Sequence, residues 1–255
     1  MPTFLFDKII FGPVQSRRLG VSLGINLLPI NKKICSFDCI YCECGLNEKL
    51  NKGEMPTAAD VKKELELKLI EMSQSGKLPD VITFAGNGEP TLHPEFNQII
   101  EFTLKLRETY CLNARVAVLS NGFHIDKAFE GLLKVDDNIL KLDSGLESTI
   151  CSIDRPNGSY SILKIVENLK RFEGKFIMQS MFIKGSFNGQ LIDNTTEENL
   201  LPWLEIIAQT KPQKVMIYTI DRSTPVNSIE KIATERLNEI AARVELLGIQ
   251  TQVSG

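Results

Sequence analysis

Apolar residues along this chain fall into short continuous runs that alternate with stretches of helical spacing. Residues 23–28 read as a first strand, and a cysteine-rich loop and a polar stretch, 47–54, follow it. Thr57 then opens a helix. Its hydroxyl can cap the helix, Asp60 stands three residues on as in a capping box, and Val61, Leu65, Leu69 and Met72 recur on one face. Residues 80–85 predict a second strand and 115–119 a third, separated by a helix with Phe96, Ile99, Ile100, Thr103 and Leu104 on one side. A short helix over 126–133, a strand over 139–142 and a helix over 159–172 carrying Ile162, Val166 and Leu169 come next. Residues 176–183 read as one long apolar strand. A helix over 197–209 tolerates Pro202 because it lies early. A strand over 214–220, a final helix over 228–247 and a terminal strand over 249–253 complete the pattern.

Strands alternating with helices predict a parallel sheet. The strands are continuous apolar runs, as expected where both faces are buried. Two economical arrangements satisfy right-handed connections: a doubly wound sheet and an open or partial barrel. Periodicity does not separate them. No sequence repeat beyond the strand–helix alternation is visible, and no linker rich in proline, glycine or serine.

With 255 residues, 43% hydrophobic and 24% charged, the chain has an ordinary globular composition. No apolar run approaches membrane-spanning length. The first residues carry no basic region followed by a long apolar stretch, which predicts no signal peptide and a cytoplasmic protein. The formal net charge of −3 argues against a long nucleic-acid footprint.

Cysteine usage changes the picture. Four of the six cysteines, Cys35, Cys39, Cys42 and Cys44, lie within ten residues. In a reducing compartment such a cluster points to a metal site rather than to disulfides. Cys111 and Cys151 read as small buried apolar residues. The spacing Cys35-x3-Cys39-x2-Cys42 lets a short loop place three thiolates at three corners of a cubane and leaves the fourth iron open. The alternative is a structural zinc with Cys44 as fourth ligand. Spacers of three, two and one depart from the two separated pairs that such sites normally combine.

The loop resembles the signature of the radical S-adenosylmethionine (SAM) superfamily. The resemblance implies a partial (β/α)6 barrel of parallel strands, forming a single domain over 1–255. It implies a [4Fe-4S] cluster on Cys35, Cys39 and Cys42, whose open iron chelates SAM, and reductive cleavage of SAM to a 5′-deoxyadenosyl radical. It also implies an electron donor of the flavodoxin or ferredoxin type. Tyr41 matches the aromatic position that lies against the adenine. The turn Gly86-Asn87-Gly88-Glu89-Pro90, one strand–helix unit later, matches the glycine-rich turn that binds the SAM amino group.

Further polar residues sit where strands end, which is where chemistry gathers in parallel α/β folds. Ser120, Asn121, Asp143 and Ser144 are candidates for the SAM carboxylate and ribose, and Gln179 is a further inward polar group. Lys141 and Asp143, two apart, face one side of their strand, and such charges need pairing when buried. The choice between a site role and an internal ion pair stays open. Arg17, Lys141, Arg155, Tyr218 and Arg222 are the substrate-facing candidates, with a plain surface role as the alternative for Arg222. The segments around residues 11–20, 140–145, 153–156 and 217–222 together resemble the branch that is similar to tRNA wyosine-base synthases. That branch implies a nucleobase or tRNA substrate. Those synthases bind a second cluster through upstream cysteines, and this chain has no cysteine before Cys35. A peptide or protein, or a small metabolite, is the other substrate class.

Overall fold

The computed structural model describes residues 4–47 and 53–255, so most of the polar stretch expected over 47–54 lies outside the described residues. The chain forms two compact units. Of the described residues, one comprises 5–35, 47 and 53–138, and the other comprises 4, 36–46 and 139–255.

In the first unit, β1 (Ile10–Ser16) runs antiparallel to β2 (Gly20–Ile25). Strand β2 pairs in parallel with β3 (Val81–Phe84), and β3 with β4 (Arg115–Ser120). All four residues of β3 are buried, as expected for a strand covered on both faces. Helix α1 (Ala58–Ser75) starts with the predicted capping box. The Thr57 side chain accepts from Asp60 N–H, and the Asp60 carboxylate accepts from Thr57 N–H. Its buried side is the predicted Val61, Leu65, Leu69 and Met72. Helix α2 (Phe96–Tyr110) buries Phe96, Ile99, Ile100 and Thr103, but Leu106 rather than Leu104 completes its face. Helix α3 (Ile125–Lys134) follows β4. Strand β1 escaped the sequence reading because most of its residues are exposed and Gly12-Pro13 interrupts it.

In the second unit, β5 (Asp137–Lys141), counted here from Ile139, pairs in parallel with β6 (Ile177–Met181). Strand β6 pairs with β9 (Lys214–Tyr218), and β9 with β11 (Gln250–Ser254). A second sheet joins β7 (Ile183–Phe187), β8 (Gln190–Asp193) and β10 (Ile229–Lys231), all antiparallel. Helices α4 (Glu147–Ile153), α5 (Ile162–Lys170), α6 (Glu197–Thr210) and α7 (Thr234–Glu245) complete it.

Three readings are corrected here. The long strand expected over 176–183 breaks at Phe182. Phe182 N–H donates to Tyr218 O, while the Asn194 side chain donates to Met181 O at 2.7 Å and accepts from Ile183 N–H at 2.9 Å. The last helix starts at Thr234, because Ile229–Lys231 is spent on pairing with β7. Helix α4 was missed. It has seven residues, and its N-cap, Leu146, makes no side-chain hydrogen bond. Among the described residues, no helix is long and apolar enough to cross a membrane.

Candidate active site

In the first unit the glycine turn after β3 holds the chain leading into Cys35. Ile34 N–H donates to Asn87 O at 2.9 Å, and Glu89 N–H donates to Ile34 O at 3.1 Å. This approach explains the glycine at 88. Its φ is +133°, and a Cβ there would fall onto Ile34 O. A Cβ on Gly86 would meet the Asn26 carboxamide. Asn87 is fully buried and spends its side chain on Phe6 and Pro29 backbone groups.

Glu89 links this turn to the end of β4. Its carboxylate accepts from Thr91 N–H and Oγ1–H, from Ser120 Oγ–H at 2.8 Å and from Asn121 N–H at 2.7 Å. Burial pushes the Glu89 carboxyl above its ordinary value, and the four donors offset only part of that. Asn121, so fixed, directs Nδ2 at Cys35 Sγ, 3.7 Å away, while its Oδ1 accepts from Phe123 N–H. Asn47 Nδ2 donates to Cys35 O at 3.2 Å. Arg17 lies exposed in the β1–β2 turn.

In the second unit the rest of the cysteine loop lies along residues 153–157. Asn157 N–H donates to Ser36 O, Asp38 N–H to Asp154 O and Arg155 O, and Ile40 N–H to Ile153 O. Phe37 and Pro156 form an antiparallel bridge. Cys42 N–H turns back to Cys39 O at 3.1 Å.

Beneath this loop lies a buried charge cluster. Lys141 Nζ sits 2.7 Å from Asp143 Oδ2 and is shared with Asp154 Oδ1. The Tyr41 hydroxyl donates to Asp143 and, at 3.2 Å, to Asp154. Lys141 Nζ also lies 5.1 Å from the centre of the Tyr41 ring. Burial opposes the Lys141 charge, yet Asp143 and Asp154 outweigh it and hold the ammonium well above its ordinary value. One cation cannot neutralise two carboxylates. Burial and the Asp143 charge accordingly raise Asp154 to about 7. Tyr41 is also pushed upward, first by burial and then by the two carboxylates.

Of the two readings left open for Lys141 and Asp143, the internal ion pair is present, with Asp154 as a third member that the sequence reading did not single out. Ser144 Oγ–H donates to Asn199 Oδ1, and Gln179, buried on β6, accepts from Leu142 N–H through its backbone. Tyr218 is half-buried at the end of β9. Arg222 is exposed and paired with Glu43 of the cysteine loop at 2.7 Å. Cys111 is buried as expected, whereas Cys151 is exposed on α4, which corrects the reading of that residue as buried.

The model of the radical SAM superfamily matches residues 32–193. The chain is 31% identical over 241 residues to a Brachyspira hyodysenteriae protein named GTPase Obg, covering 92% of this chain and 33% of that one. It thus spans about a third of that relative's length. It is also 31% identical over 242 residues to a UPF0026 protein of Methanocaldococcus jannaschii, covering 92% of this chain and 70% of the other. Among solved structures, a radical SAM methyltransferase from Sphaerobacter thermophilus superposes with a TM-score of 0.65 at 16% identity, over 91% of this chain and 65% of that one. TYW1 with a lysine–pyruvate adduct superposes with a TM-score of 0.62 at 14% identity, over 88% and 73%. These likenesses show the fold, the partial barrel of parallel strands and helices. With the family match spanning the cysteine loop, both glycine-bearing turns and the charge cluster, this chain belongs to the radical SAM superfamily and, within it, to the UPF0026 proteins.

Proposed function

We propose that Cys35, Cys39 and Cys42 hold a [4Fe-4S] cluster and that the chain cleaves SAM there to abstract hydrogen from a substrate. The observation that carries this reading is the treatment of the thiol side chains. Three sulfurs of the required spacing share one short loop, and a carboxamide fixed by a buried carboxylate donates to the first of them. Thiolates in that number suit an iron–sulfur cluster, and a donor on a sulfur stabilises its charge. Once bound, the cluster supplies the electron that releases a 5′-deoxyadenosyl radical from SAM.

The chain's own residues bind and orient. The backbone of Gly86, Asn87 and Gly88 and the Ser120–Asn121 turn face SAM in this reading, and Glu89 braces the two turns together. Tyr41, Lys141 and Asp143 are committed to one another, so their task is to fix the loop beneath Cys39 and Cys42 and keep water out. The electron comes from a flavodoxin- or ferredoxin-type donor. The first substrate class to test is a nucleobase in RNA, supported by the resemblance of four segments to the wyosine-base branch. The Lys141 ammonium, held charged by two carboxylates, is a poor nucleophile, so chemistry through a lysine–carbonyl adduct at this residue is not part of the proposal.

Anaerobic reconstitution with iron and sulfide tests the cysteine assignment. Wild-type protein is expected to take up four irons and four sulfides per chain, and Cys39→Ala to lose them. Zinc uptake without sulfide, or an intact cluster in Cys39→Ala, would overturn it.

A further inference from the structure

Asp38 stands between Cys35 and Cys39, directly beside the second cysteine. Its carboxylate is largely buried, at 17% exposure, and it brings a negative charge into a loop that already carries thiolates. Arg155 answers that charge. Its Nη1 lies 3.1 Å from Asp38 Oδ2, in an ion pair that lacks the alignment of a hydrogen bond. The same guanidinium lies 5.2 Å from the centre of the Phe187 ring, at the end of β7.

The backbone is arranged for this placement. Arg155 has φ +50°, a left-handed conformation that costs a non-glycine residue about 1–3 kcal/mol. It is held there because Asp38 N–H donates to Asp154 O at 2.9 Å and to Arg155 O at 3.2 Å. The neighbouring Phe37–Pro156 bridge and the 2.7 Å bond from Asn157 N–H to Ser36 O continue the clasp. Arg155 is thus fixed to the cysteine loop through its own carbonyl and through its side chain. The sequence suggested a substrate-facing guanidinium, but this one is already engaged by a carboxylate and an aromatic face.

Cluster potentials follow net charge, hydrogen bonding to sulfur and solvent exposure. A carboxylate one residue from a ligand, left uncompensated at a side chain only 17% exposed, acts more strongly than it would in bulk solvent, while its partner Arg155 is 34% exposed. We propose that Arg155 sets the reduction potential of the cluster by neutralising Asp38, and that Phe187 of the β7–β8 hairpin keeps the guanidinium in place. The inference rests on the reading that Cys35, Cys39 and Cys42 hold the cluster. Arg155 is a positioning residue in this scheme, acting through Asp38.

The test is a redox titration of the reconstituted full chain, followed by electron paramagnetic resonance, with iron and sulfide content measured on each sample. Arg155→Ala is expected to move the midpoint to a more negative value. Arg155→Lys, which keeps the charge, should retain most of the wild-type value, and Phe187→Ala should shift it in the same direction as Arg155→Ala but by less. Asp38→Asn should move it to a more positive value. In the Asp38→Asn background the effect of Arg155→Ala should largely vanish, since the two act as one pair. If Arg155→Ala takes up no cluster, the positive shift of Asp38→Asn decides the matter, and an unmoved midpoint there overturns the inference. A full cluster in Arg155→Ala with an unchanged midpoint, or an undiminished shift in the Asp38→Asn background, also overturns it. A wild-type chain that assembles no cluster sinks the underlying cluster reading instead.

Discussion

Asn121 Nδ2 lies 3.7 Å from Cys35 Sγ, and the backbone N–H of the same Asn121 is held by the Glu89 carboxylate at 2.7 Å. A buried acid on one turn thereby aims a donor on the next turn at a cysteine. Removing the donor tests whether it serves the thiolate. Asn121→Ala should keep the fold, lose about 1–2 kcal/mol of stability from the missing side-chain hydrogen bonds, and lower iron content after reconstitution. Asn121→Asp should lower it further, because a carboxylate there repels the thiolate. Equal iron content in all three proteins would remove Asn121 from the site.

Glu89→Gln probes the brace itself. The carboxylate accepts four hydrogen bonds, whereas a carboxamide must turn a donor NH2 toward some of the same donors. At least one buried donor loses its partner, at a cost of about 1–3 kcal/mol. Denaturant unfolding is expected to show that loss, with Asn121 and hence Cys35 less well fixed.

Gly88→Ala introduces a Cβ onto Ile34 O at a backbone angle that side chains rarely adopt. The chain next to Cys35 must shift to make room. Stability should fall by at least the 1–3 kcal/mol of the backbone strain, and iron uptake should fall with it. A Gly88→Ala protein with wild-type melting temperature and iron content would show that the turn is not a close-contact site.

The buried charge cluster predicts a pH dependence. Asp154 is raised to about 7 in the folded chain, above an unfolded value near ~3.9. The folded state therefore binds the proton more tightly, so this group's contribution to stability is fully present below the unfolded value. It is lost as pH rises through about 7. Asp154→Asn should flatten the fall in stability between those limits, as read from melting temperature against pH. Lys141→Met should do the opposite kind of damage, leaving two buried carboxylates without their cation and costing about 3–5 kcal/mol.

Local signals in the sequence were sufficient where neighbours along the chain decide the structure. The Thr57–Asp60 capping box, the apolar faces of α1 and α2 and the pairing of Lys141 with Asp143 all depend on spacings of two to four residues. The family was legible because the cysteine loop and the Gly86–Pro90 turn are written in consecutive residues, and the family match spans both. What distance along the chain conceals was missed. Asp154 joins Lys141 across 13 positions, and Asn121 meets Cys35 across 86. Arg155 looked available for a ligand because nothing nearby in the sequence shows that Asp38 and Phe187 claim it. The break at Phe182 depends on Asn194 and Tyr218, which no apolar periodicity can report.

The central claim is that SAM is cleaved at a cluster on this cysteine loop. Incubation of the reconstituted protein with SAM and a strong one-electron reductant, with the products separated by chromatography, tests it most directly. The account predicts 5′-deoxyadenosine and methionine in equal amounts from the wild type and neither from Cys39→Ala. A wild-type protein with a complete, reducible cluster that leaves SAM intact would contradict it.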